Sequence, residues 1–110
     1  MTRVASGVWV SAYLRRLEIE FIPGYVTRRG DGTAGAVLVK CATLDGRATV
    51  HERIVDLMTG RRRWDEVSEG PETEIDALIG RKMERDPDLW VVEIESRDGR
   101  TLLGDPGLAD

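Results

Sequence analysis

Residues 36–57 read AVLVKCATLDGRATVHERIVDL: two apolar, β-branched runs joined by Asp45-Gly46. Asp-Gly between such runs is a strong short-range hairpin signal, because a type I′ turn needs positive φ at both central residues. A two-residue loop pairs Leu44 with Arg47, placing Cys41 opposite Val50 and His51 opposite Lys40. That register groups Val37, Val39 and Cys41 with Ala48 and Val50 on one face. A three-residue loop would instead set Cys41 opposite His51.

The same punctuation continues outward. YVTRR (25–29) passes through GDGTAG into the first run, and the second passes through TGR (59–61) into RRWDEVSE (62–69), which predicts an antiparallel meander of about four strands. Upstream, SGVWVSAYLRRLEIEF (6–21) places Val10, Tyr13, Leu14, Leu17 and Phe21 on one helical face, with Ser6 or Ser11 at its start and Pro23-Gly24 as its stop. Its end, LEIEF, also alternates as a strand would. Downstream, GPETEIDALIGRKMERDP (70–87) is a helix: Pro71 suits the first turn, acids lie early and bases late, and Ile75, Leu78, Ile79 and Met83 form one stripe. DLWVVEIESR (88–97) follows as a strand with Trp90, Val92 and Ile94 on one face and Glu93 and Glu95 on the other. Asp98-Gly99 would fold RTLL back as a short return strand, and the tail from 104 to 110 reads as frayed. The expected class is α+β: a mostly antiparallel sheet of about five strands, in the order helix, four-strand meander, helix, strand, with the helices on one face.

Length and composition bound the function. A chain of 110 residues reads as one domain, 1–110, able to fold without disulfide or metal. No apolar run approaches the roughly 20 residues that span a bilayer, and a single cysteine fits a reducing cytoplasm. The net charge of −4 is unevenly divided: residues 1–63 hold 11 Arg/Lys and 6 Asp/Glu, whereas residues 64–110 hold 5 and 14. Folded together, those blocks intermix; kept apart, they would steer a partner or a second copy of the chain.

Several motifs promise more than their context supports. GDGTAGA (30–36) spells a dinucleotide-binding pattern, but a strand rather than a helix follows it, so no helix N-terminus would face a pyrophosphate. Arg29-Gly30-Asp31 matches an adhesion tripeptide in a chain with no secretion signal. Cys41 and His51, the lone cysteine and histidine, would form a nucleophile pair only if their faces coincide. Glu93 and Glu95 share a strand face as a solvated pair would. No metal-ligand spacing, P-loop or G-x-S-x-G is present, so no cofactor or metal is expected and an enzyme is the weaker class.

The arginines remain. Arg28, Arg29, Arg61, Arg62 and Arg63 lie near strand ends, and with Trp64 they form a candidate binding patch for an RNA or single-stranded backbone and a stacked base. The acidic net charge and the scarcity of aromatics weigh against nucleic acid. A protein partner or self-association, as a small homo-oligomer using a sheet face or edge, is the leading expectation, with nucleic acid the alternative and no membrane partner.

Taken together, WVSAYLRR, RRGDGTAGAVLVK and DPDLWVVEIE resemble an uncharacterised family of short alphaproteobacterial proteins, the domain of unknown function numbered 1491. The resemblance runs from about Val8 to about Leu103. It implies a free-standing bacterial cytoplasmic protein and lends no residue a catalytic role.

Overall fold

The computed structural model describes residues 4–108. Its elements are helix α1 (Ser6–Ile19), strands β1 (Gly24–Arg28), β2 (Val37–Ala42), β3 (Arg47–Val55) and β4 (Arg62–Pro71), helix α2 (Glu72–Arg85), strand β5 (Trp90–Glu95) and a closing 3₁₀ turn, Pro106–Leu108. The α+β class and the order of elements are those the sequence implies. Among the described residues no helix is long and apolar enough to cross a membrane.

The sheet is ordered β1-β5-β2-β3-β4, with β5 parallel to β2 and every other pairing antiparallel. Strand β1 is therefore not the first member of a four-strand meander; β5 inserts between it and β2. The reason lies in VLVKCA, which is buried at every position. A strand covered on both faces belongs in the middle of a sheet, whereas β1, with Tyr25 and Val26 exposed, suits an edge.

The insertion requires the β1–β2 connection to cross the start of β5, which explains Gly30 and Gly35 of GDGTAGA. A Cβ on Gly30 would fall 2.2 Å from the Asp88 carbonyl oxygen, and one on Gly35 2.3 Å from the same atom. The crossing is fastened by the Asp31 amide donating to the Asp88 carbonyl (3.0 Å), the Trp90 amide to Ala36 (2.8 Å) and the Trp90 indole to the Asp31 carbonyl (2.7 Å). A nucleotide pattern by letter is a strand-crossing loop by structure.

The helices lie on opposite faces, not on one. Helix α1 buries Trp9, Val10, Tyr13 and Leu17 against Val37, Val39 and Cys41 of β2 and Trp90, Val92 and Ile94 of β5. Helix α2 packs Ile75 and Ile79 against Leu38, Ala48, Val50 and Val91 on the reverse side. Two-sided burial of β2 and of most of β5 demands a cover on each face, and one helix is available for each. The first face continues over the C-terminal segment. Residues 100–103 form no return strand; Leu102 and Leu103 are buried in an irregular segment. At the C-terminal end Leu108 is buried, and its carbonyl accepts both the Trp9 indole (3.1 Å) and the Trp64 indole (3.3 Å). Residues 109 and 110 lie outside the described residues.

Helix α2 is tied to its face by Lys40, the one charged residue in the β2 run. Only 4% exposed, its ammonium meets Glu72 (2.8 Å) and Asp76 (2.7 Å) of α2 and Glu93 (2.7 Å) of β5. Burial alone would lower its pKa, but the hydrogen bonds to Asp76, Glu72 and Glu93 outweigh that cost and hold it above the ordinary lysine value of 10.5. With the folded pKa raised, the stability this charge confers is fully present below about pH 10.5, the unfolded value, and is lost as pH rises through the folded one.

Two stability measurements check these assignments by urea unfolding. Gly30→Ala is expected to lower the unfolding free energy by about 2 kcal/mol through its backbone clash, while Gly32→Ala, whose Cβ meets nothing within 4 Å, changes it by no more than ~0.5 kcal/mol. Lys40→Met is expected to cost about 3 kcal/mol at pH 7, the lower end of the range for breaking a buried pair because Glu72 and Asp76 remain partly solvated, and the difference from wild type shrinks above about pH 10.5.

Candidate functional site

The arginines of the candidate patch share an end of the sheet but not an edge. Arg28 and Arg29 leave β1 at one margin, and Arg61, Arg62 and Arg63 enter β4 at the other, four strand spacings or ~19 Å away. Each group also has local work. The Arg28 guanidinium donates to the carbonyls of Met83 (3.0 Å), Asp86 (3.1 Å) and Pro87 (3.1 Å), closing the C-terminal end of α2 where a cation is favoured. The Arg29 guanidinium lies 5.6 Å above the Trp90 ring.

Trp64 packs inward. Its ring stacks on Trp9 with centroids 5.1 Å apart, its indole donates to Leu108, and the Arg53 guanidinium sits 5.4 Å from the Trp9 ring and 5.5 Å from Trp64. The two rings, Arg53 and Leu108 thus weld the start of β4 to α1 and the C-terminal segment. Where the β3 and β4 ends meet the loop at Thr33–Gly35, a cleft of about 610 Å³ is lined by Ser6, Glu52, Arg53 and Arg62, among others.

The β3–β4 hairpin holds the feature that the sequence reading overlooked. Its turn is closed by the Asp56 amide on the Arg61 carbonyl (2.8 Å) and the Gly60 amide on the Asp56 carbonyl (2.7 Å), with Gly60 at φ 73°. Leu57 and Met58 ride on that turn at 95% and 92% exposure, with Val55 half exposed behind them. Their signal was present in DLMTGR: two large apolar residues inside a turn have no core within reach. Beyond the turn, Arg63 reaches Asp65 (3.3 Å) and Asp56 (4.0 Å).

Cys41 and His51 are set by a register neither expected loop gives. The β2–β3 turn spans Leu44-Asp45-Gly46, with Leu44 at φ 63°, Gly46 at φ 86° and Asp45 accepting from the Thr43 hydroxyl and the Arg47 amide, so Cys41 faces Thr49 and His51 faces Val39. Cysteine and histidine therefore share a face, contrary to the two-residue reading, but Thr49 stands between them and shares a 2.8 Å hydrogen bond with His51 Nε2. Burial pushes the Cys41 thiol pKa up, against the hydrogen bond from Thr49, and burial lowers that of His51, against the nearby Glu66. Cys41 is fully buried and packs within the core on the α1 face.

The glutamate pair also divides. Glu93 is engaged by Lys40 and by the Tyr25 hydroxyl, whose pKa is pushed up to about 12 chiefly by that hydrogen bond. Among the described residues no three His, Cys, Asp or Glu side chains converge as a metal ion would require.

No curated protein matches the chain. Among solved structures it is similar to a DUF1491 family protein from Caulobacter crescentus CB15, with 37% identity over 96% of this chain and 97% of that one and a TM-score of 0.82 for the crystal structure; the NMR structure of a DUF1491 family protein from the same organism gives 38% and 0.81. Protein Atu0922 from A. tumefaciens, solved in solution, is 32% identical over 93% of each chain with a TM-score of 0.77. With the family's own sequence profile matching residues 4–104, the chain belongs to DUF1491, the family described as protein of unknown function.

Proposed function

We propose that this protein is a small non-enzymatic cytoplasmic domain that acts by protein contact, and that the contact is self-association through the β3–β4 margin of its sheet. The observation that carries the reading is the hairpin: Leu57 and Met58 almost fully exposed on a turn, followed by three arginines and by a ten-residue strand that closes the sheet, with no strand beyond it among the described residues. An exposed apolar tip bordered by charge is the surface composition of an interaction site. The reactive groups support the same reading, since Cys41 is packed, His51 is bonded to Thr49 and Lys40 is held among three carboxylates. The nucleic-acid alternative keeps Arg61, Arg62 and Arg63, but Arg28 and Trp64 contribute from other contacts.

Sedimentation velocity from micromolar to millimolar protein tests this. The expected result is a mass rising from 12.3 kDa toward its double, and falling back when Leu57→Ser and Met58→Ser are combined. A strictly monomeric mass throughout contradicts it. Salt-sensitive binding of mixed-sequence RNA, abolished by Arg61, Arg62 and Arg63 to Ala, would move the assignment to nucleic acid.

A further inference from the structure

The first five residues of β4, Arg62-Arg63-Trp64-Asp65-Glu66, form a charge palindrome along an edge strand: two bases, a tryptophan, two acids. We infer that this segment pairs antiparallel with the same segment of a second copy of the chain, about a two-fold axis through Trp64, setting Arg62 opposite Glu66 and Arg63 opposite Asp65 in both directions. The inference rests on the self-association reading above and specifies its register.

Three observations select this strand and these limits. Edge strands carrying like charges repel a partner edge, and natural sheets use that to stay apart. Here the charges are segregated by sign, so antiparallel self-pairing converts each repulsion into an attraction, whereas any parallel pairing in register sets like against like. Second, the β3–β4 ladder shifts between Val50, which faces Ser68, and His51, which faces Glu66, leaving Val67 as a bulge. The bulge interrupts the ladder directly after Glu66, before pairing resumes at Ser68, so the uninterrupted segment next to the hairpin turn is the five residues Arg62 to Glu66. In this register Arg61 lies opposite the exposed Val67 of the other copy, next to the hairpin turn that carries Leu57 and Met58. Third, the opposite margin has no such pattern: Gly24–Arg28 carries one charge, Arg28.

Each arginine keeps the same face that it has in the isolated chain, since directly opposed residues of an antiparallel pair point to the same side. Arg62, Trp64 and Glu66 lie on the α1 face, and Arg63 and Asp65 on the α2 face. Exposed ion pairs contribute little net energy, so the charges set register and orientation, while backbone bonds and the apolar tips supply attraction. So short an interface falls in the weak, transient class, with dissociation on the order of micromolar or weaker.

The test is a charge exchange followed by sedimentation velocity on full-length chains. One variant combines Arg62→Glu with Arg63→Glu, the other Asp65→Arg with Glu66→Arg. Each alone makes the segment single-signed and is expected to be monomeric where wild type dimerises; mixed in equal amounts they are complementary at every pair, and the mass is expected to rise about twofold again. Circular dichroism and thermal melting verify that each variant is folded, and the single exchanges Arg63→Glu and Asp65→Arg carry the same test if a double variant does not fold. Dimers of either variant alone as strong as wild type, or a mixture that stays monomeric, overturn the palindromic register while leaving self-association standing. A wild type that is monomeric at every concentration overturns both.

Discussion

Strand β5 occupies its place only because the chain can cross its first residues in direct backbone contact at Gly30 and Gly35. Everything else depends on that crossing. With β5 parallel to β2 and antiparallel to β1, Val92 and Ile94 reach full burial and the two central strands need cover above and below. Helix α1 supplies one cover and α2 the other, so the sheet becomes the middle layer of three. The two margins of the sheet among the described residues are β1 and β4, and their lengths differ by a factor of two.

That division places chemistry and contact in different parts of the molecule. The reactive side chains lie toward the centre: Lys40 links β2 to α2 and β5, and Cys41 packs on the α1 face below Tyr13, whose hydroxyl pKa is raised by burial first and by Cys41 second. Such groups are engaged inside the fold by packing and ion pairs. The margin at β4 is the reverse: it is anchored from within by Trp64 on Trp9 and Arg53, and it presents charge and an apolar tip outward. The asymmetry between a basic N-terminal part and an acidic C-terminal part, visible along the whole sequence, is concentrated within β4 itself.

What was legible in the sequence was what is local. The stripe of α2, the two hairpins between β2 and β4 and the alternation of Trp90, Val92 and Ile94 follow from periodicity and turn residues, and the structure has them. The insertion of β5 is not local: Val37 meets Trp90 across the length of two strands, a helix and their connections, and no short pattern announces it. The nearest hint was VLVKCA itself, too continuously apolar for a half-exposed strand of a meander. The β2–β3 register turned on Leu44 adopting φ 63°, a conformation that a bulky residue seldom takes and that Asp45 holds in place through its side-chain bonds. Of the candidate patch, the sequence correctly placed Arg61, Arg62 and Arg63 at a hairpin and entering a strand. It could not show that Trp64 turns inward, that Arg28 closes a helix fifty residues on, or that Leu57 and Met58 stand clear of any core.

The central claim, that the working surface is the β4 margin, is tested most directly by amide hydrogen exchange followed at low and high protein concentration. The account predicts slower exchange at high concentration confined to residues 61–67 and the hairpin turn, with β1 and the two helices unchanged. Exchange in β4 that ignores concentration, or protection that appears instead along Gly24–Arg28, would contradict it.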